Sequence, residues 1–231
     1  MRTLGLLGGM TYHATATYYT TINDHVQEKL GGKNSAKILL HSFNYSDIIT
    51  PWQAGNRDAV RDQLCDAAAG LQRGGAAAIV LCVNTNHMWA EDIERASGLP
   101  LLHIIDFSAA AIQKAGLTKI ALLGTKVTME GEFIRGRLEK KFGLEVLLPD
   151  EEVRQKMDDL IFQELPHKIV TDACKALYMD TVKELVSRGA QGVILGCTEL
   201  QFVLKPEDVD VPLFDTVALH ARGAAQWAID N

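Results

Sequence analysis

The chain has 231 residues, 47% of them apolar and 23% charged, with a formal net charge of −6. That balance describes a folded protein with a sizeable core and excludes a disordered chain, while the negative charge and the lack of a Lys/Arg stripe argue against nucleic acid as a partner. No apolar run approaches the ~20 residues of a membrane helix; the first strand starts at Thr3, which leaves no room for a leader, and a cytoplasmic protein is expected. Four unpaired-looking cysteines, Cys65, Cys82, Cys174 and Cys197, are then expected to be free thiols.

Short apolar runs alternate with longer amphipathic stretches, the pattern of βα units around a parallel sheet. In chain order, strands are expected at Thr3 to Leu7, Lys37 to His41, Ala78 to Val83, Leu101 to His103, Lys119 to Leu123, Glu145 to Leu148, Gly192 to Leu195 and Leu213 to Phe214. Helices fill most of the gaps. Between Arg57 and Arg73, for instance, Val60, Leu64, Ala67, Ala68 and Leu71 fall at helical spacing before Gly74-Gly75 ends the run.

The first half of the chain reappears in the second. Leu4-Gly-Leu-Leu-Gly8 answers Ile120-Ala-Leu-Leu-Gly124, Gly75-Ala-Ala-Ala-Ile-Val-Leu81 answers Gly189-Ala-Gln-Gly-Val-Ile-Leu195, and Leu99-Pro-Leu-Leu102 answers Val211-Pro-Leu-Phe214, at offsets of 116, 114 and 112. Three matches in one order with so little drift indicate a duplicated α/β domain. The chain divides into residues 1–107 with 217–231, and residues 108–216. Ligands of open parallel sheets sit beyond the carboxyl ends of the strands, so equivalent positions of two related domains are expected to flank one ligand. The offset of 114 carries Cys197 onto Val83 and Thr198 onto Asn84.

Cys197 lies in Leu195-Gly-Cys-Thr-Glu199, directly after an apolar strand. Backbone N–H groups of a following turn or helix would favour its thiolate and make it a base or nucleophile; a small buried hydrophobe is the other reading. After the strand at 78–81, Asn84 and Thr85 offer donors for a carboxylate or an oxyanion, or form a plain polar turn with His87. Cys82 alternates to the opposite side of its strand and reads as core. Gly8-Gly-Met-Thr-Tyr12 could bring backbone N–H groups to an anion, but it is not G-x-G-x-x-G and gives no dinucleotide site. Gly124-Thr-Lys-Val-Thr-Met129 is its counterpart. Cys82, His87 and Cys197 match no standard metal spacing.

Leu6-Leu-Gly-Gly-Met10, Asn84-Thr85-Asn86-His87, Leu123-Gly-Thr125 with Thr128-Met129, and Gly196-Cys-Thr-Glu199 together resemble the aspartate/glutamate racemase superfamily, over essentially the whole chain. The resemblance implies two doubly wound parallel-sheet domains related by a pseudo-twofold axis, an active site in the interdomain cleft, no cofactor, no metal, and commonly a homodimer. It also implies a cysteine from each domain addressing opposite faces of a substrate Cα, with hydroxyls and amides holding the carboxylate of a small substrate such as an amino acid. Residue by residue, Cys197 matches the second-domain cysteine. Asn84, Thr85, Thr125, Thr128 and Thr198 match the carboxylate-binding motifs, and Met10 lines the pocket. Val83 stands where the first-domain cysteine belongs. Trp52 lies where relatives meet the substrate's distal end, and Lys168 is the basic group considered for that end. Racemase or epimerase chemistry is therefore expected; the alternatives are single-thiol decarboxylase or isomerase chemistry, as in relatives with one cysteine, and a binding homologue without catalysis.

Overall fold

Two short, buried apolar strands, each ending in glycine, organise the molecule. The computed structural model describes residues 1–165 and 169–231. It separates into two units, Met1–Ile104 with Val217–Asn231 and Ile105–Thr216.

In the first unit β1 (Leu4–Gly8) is buried along its whole length. Thr11 caps the helix that follows, α1 (Tyr12–Leu30), by accepting from the Ala14 N–H, and α1 buries Tyr18, Ile22 and Val26. Then come β2 (Ile38–Ser42), α2 (Tyr45–Gln53), α3 (Arg57–Arg73) and β3 (Ala78–Leu81). α3 buries Val60, Leu64, Ala67, Ala68 and Leu71, the stripe that the spacing predicts; burying each of its valine and leucine side chains contributes about 1.5–3 kcal/mol. The strands are parallel, in the order β2-β1-β3. A short 3-10 turn, Thr85–Trp89, leads into α4 (Ala90–Ser97).

The strand expected at Leu101 to His103 does not form. Leu101 makes a single parallel bridge to Ile79, with Ile79 N–H donating to Pro100 O and Leu102 N–H to Ile79 O, both at 2.9 Å. Pro100 has no N–H to extend the ladder on one side, and on the other helix α5 (Ile104–Lys114) starts three residues after the bridge.

The second unit repeats the order. After α5 come β4 (Lys119–Gly124), α6 (Lys126–Glu130), α7 (Arg137–Phe142), β5 (Glu145–Leu147), α8 (Glu151–Gln163), α9 (Asp172–Ser187), β6 (Val193–Gly196), α10 (Leu200–Val203) and β7 (Leu213–Asp215). Its parallel sheet runs β5-β4-β6-β7. That is the first unit's β2-β1-β3 with the Leu101 bridge in the place of β7. The core beneath it gathers Leu123, Leu195, Tyr178, Val182 and Leu200. Finally α11 (Thr216–Asp230) carries the chain back to the first unit. There Val217, Ala221, Ala224, Ala225 and Ala228 are all buried. None of the described helices is long and apolar enough to cross a membrane.

Candidate active site

In the second unit the chemistry gathers at the carboxyl ends of β4 and β6. These strands end on the paired residues Gly124 and Gly196. A side chain would crowd both: a Cβ on Gly196 would lie 2.8 Å from Leu123 O, and one on Gly124 would lie 3.0 Å from Gly196 O. The close approach brings the two following residues, Thr125 and Cys197, to the same edge of the sheet. Thr125 caps α6, accepting from the Thr128 N–H at 3.2 Å and donating its own proton to Thr128 Oγ1 at 2.9 Å. Both threonines are buried. Asp158 of α8 accepts from Lys126 N–H at 2.7 Å and so fixes the same turn.

The Cys197 thiol donates to Glu199 Oε2 at 3.1 Å. The Thr198 hydroxyl donates to the same oxygen. One carboxylate oxygen is thus held against both the sulfur and its neighbouring hydroxyl. Burial pushes the Cys197 thiol well above the ordinary value; the Glu199 charge adds to this, and hydrogen bonds from the Glu199 and Thr198 backbone offset only part of it. Turn N–H groups are expected to favour a thiolate here. Those N–H groups act in the expected direction, but α10 is only four residues long and desolvation outweighs them.

In the first unit β3 ends at Leu81, not at Val83. Cys82 N–H still donates to Leu7 O at 2.9 Å, after which the chain turns away. Cys82 is buried, and burial alone drives its thiol upward. Val83 is partly buried against the cluster of Leu7, Met10 and Trp89, and Asn84 is buried beside it in sequence. His87 holds this turn: its Nδ1 faces Val83 O at 2.8 Å, while Nε2 accepts from Ile104 N–H at 3.2 Å. The acceptor role of Nε2 puts the proton on Nδ1. Met10 is buried, and its sulfur accepts from Asn86 Nδ2 at 3.2 Å. Gly9 just before it has φ +91 and lies so close to Phe43 that a Cβ would sit 2.2 Å from Phe43 O.

Thr125, Thr128, Cys197 and Thr198 thus share one sheet edge, while Met10, Val83, Asn84 and Thr85 follow β1 and β3 of the other sheet. Trp52, in the last turn of α2, packs edge-on against Trp89, with ring centroids 6.0 Å apart. Lys168 lies outside the described residues. Three residues escaped the sequence reading. Glu199 was visible within Gly196-Cys-Thr-Glu199, but only the turn shows that its carboxylate folds back on the sulfur. Arg57 stacks its guanidinium 3.2 Å from the centre of the Trp52 ring, five residues away, a spacing that carries no signal across a turn. Tyr178 of α9 is fully buried and its hydroxyl has no hydrogen-bond partner among the described residues. Its phenol is pushed up by burial first and by Cys197 next.

A sequence model described as Asp/Glu/Hydantoin racemase matches residues 7–224. The broad specificity amino-acid racemase RacX of Bacillus subtilis (strain 168) is 28% identical over 224 residues, 95% of each chain. Among solved structures, a candidate Asp/Glu racemase from Yersinia pestis is 44% identical and superposes with a TM-score of 0.94, covering 99% of this chain and 100% of that one. The aspartate racemase homologue PH1733 from Pyrococcus horikoshii OT3 is 33% identical with a TM-score of 0.85, over 99% and 100% of the two chains.

Proposed function

Because the chain belongs to the Asp/Glu/Hydantoin racemase family, we propose that it is a cofactor-independent amino-acid racemase or epimerase in which Cys197 moves the proton at Cα. The observation that carries this is the Cys197 thiol at the end of β6, donating to Glu199 beside the Thr125–Thr128 hydroxyl pair. Glu199 takes the thiol proton. The thiolate then removes the α-proton, an S–H bond forms as the C–H bond breaks, and the electron pair passes into the substrate carboxylate as an enediolate. Amide and hydroxyl donors of Asn84, Thr85 and Thr128, with Thr125 and Thr198 once their protons turn from Thr128 and Glu199, would hold that oxyanion. The raised thiol makes a strong base once deprotonated, which a weakly acidic Cα–H requires.

Val83 has no proton to give. On the Cα face assigned to the first unit, reprotonation falls to water, and a missing positioned acid slows it by about 10²–10⁴-fold. A second reading draws on the same site. A cysteine that rests protonated, with an aliphatic residue in place of its partner, suits a single acid that protonates an enolate after a malonate-type substrate loses CO₂. As in the class as a whole, a small carboxylate-bearing substrate and a homodimer are expected, with no cofactor or metal.

Incubation in D₂O with a panel of amino acids tests the first reading. Deuterium should wash into the α-position of at least one of them, and Cys197→Ala should abolish it. No exchange across the panel, together with CO₂ release from a disubstituted malonate and a single product enantiomer, would instead establish the second.

A further inference from the structure

Passing a proton from Cys197 to Glu199 creates a demand that the turn after β6 does not meet by itself. In the structure the thiol is a donor, to Glu199 Oε2 at 3.1 Å. Once that proton has moved to the carboxylate, the sulfur carries the charge and can only accept. The Thr198 hydroxyl is directed at the same carboxylate, and the backbone N–H groups of Thr198 and Glu199 offset only part of the cost of burial. A buried thiolate therefore calls for a further donor.

Helix α9 holds one that is unused. Tyr178 is completely buried, yet its hydroxyl has no hydrogen-bond partner among the described residues. Buried polar atoms are normally paired, and one left unpaired costs stability. Tyr178 belongs to the core cluster against which Cys197 packs, and α9 lies against both β4 and α10, the helix that follows the Cys197 turn. After burial, the strongest influence on the phenol is Cys197, ahead of Cys174, one turn earlier on α9, and Asp158 of α8. Neither of those two competes for the hydroxyl: Cys174 makes no hydrogen bond to it, and Asp158 accepts from Lys126 N–H at 2.7 Å.

We propose that the Tyr178 hydroxyl is the donor that receives the Cys197 sulfur when its proton leaves for Glu199. The proposal rests on the reading of Cys197 as the proton carrier at Cα. The S–H bond breaks, its proton goes to Glu199 Oε2, and the electron pair stays on sulfur. The sulfur then turns about the Cα–Cβ bond of Cys197 to accept from the phenol, which keeps its own proton. Tyr178 is thus a positioning residue, acting on the substrate only through the thiolate it holds. The idle hydroxyl acquires a physical reason: stability given up while the thiol is protonated narrows the gap to the ionised form.

Tyr178→Phe keeps the ring and removes only the donor. Alkylation by iodoacetamide at neutral pH, read on the peptide that carries Cys197, should slow about tenfold, as expected for one lost hydrogen bond to a charged group. The pH at which that thiol becomes reactive should rise by about one pH unit. Exchange of the α-proton in D₂O should slow in parallel at neutral pH, with KM unchanged, and recover in alkaline solution. The Tm should hold or rise, because the protonated form loses no hydrogen bond. Unchanged alkylation and an unchanged pH profile would overturn the proposal, whether or not the Tm moves. Exchange lowered equally at every pH overturns it as well, since the hydroxyl would then be meeting the substrate. Alkylation needs no substrate, so the two failures separate: a wild type that exchanges no amino-acid proton, with alkylation still slowed in Tyr178→Phe, sinks the proton-carrier reading and upholds the donor.

Discussion

At Cys197, one carboxylate works in two directions. Glu199 raises the thiol by its charge and its hydrogen bond, yet it is also the proposed acceptor of the thiol proton. Glu199→Gln should therefore lower the Cys197 pKa, read as faster alkylation by iodoacetamide at neutral pH, while it slows α-proton exchange about 10²-fold. A carboxylate that merely packed there would leave exchange intact. The pH profile separates the two readings of the site. If Cys197 acts as a base, the rate should climb from neutral toward alkaline pH as the thiolate appears. If it acts only as an acid, the rate should stay level through neutrality and fall once the thiol ionises. At Val83 the corresponding test restores a thiol: Val83→Cys should create or raise two-face proton transfer, measured as racemic product from a single enantiomer. A folded variant without that gain would contradict the role proposed for Val83.

Among the elements, the strand ends matter most. Gly9, with φ +91 and the Phe43 backbone against it, has no space for a methyl group. Gly9→Ala should cost roughly 1–3 kcal/mol or more, seen as a lower Tm, and Gly196→Ala should do the same in the second unit. Such positions were legible beforehand, because an apolar run closing on glycine is a local pattern. So was the buried stripe of α3 from Val60 to Leu71. The strand expected at Leu101 to His103 was not, since an apolar triplet does not reveal that Pro100 and the start of α5 leave room for a single bridge. The upward push on the Cys197 thiol was equally hidden. It depends on how the turn after β6 packs around the sulfur, and burial is a property of tertiary packing. The fold was thus readable from periodicity and repetition, and the family from its motifs, but the electrostatics around Cys197 were not.

For the whole molecule, the second unit is an insertion into the first. Residues 217–231 return to the first unit, where five apolar side chains of α11 and His220 are buried and Arg2 N–H donates to Ala228 O at 2.9 Å. Truncation after Thr216 should unfold the first unit selectively, with hydrogen exchange accelerating in β1 and α1 while β4 and β6 stay protected. The same threading imposes an order on biosynthesis. When the ribosome has released residue 216, every residue of the inner unit is available to collapse, but the outer unit still lacks its closing helix. The part of the protein begun second is the part that can be finished first, and the earliest strands must wait as nascent chain for α11.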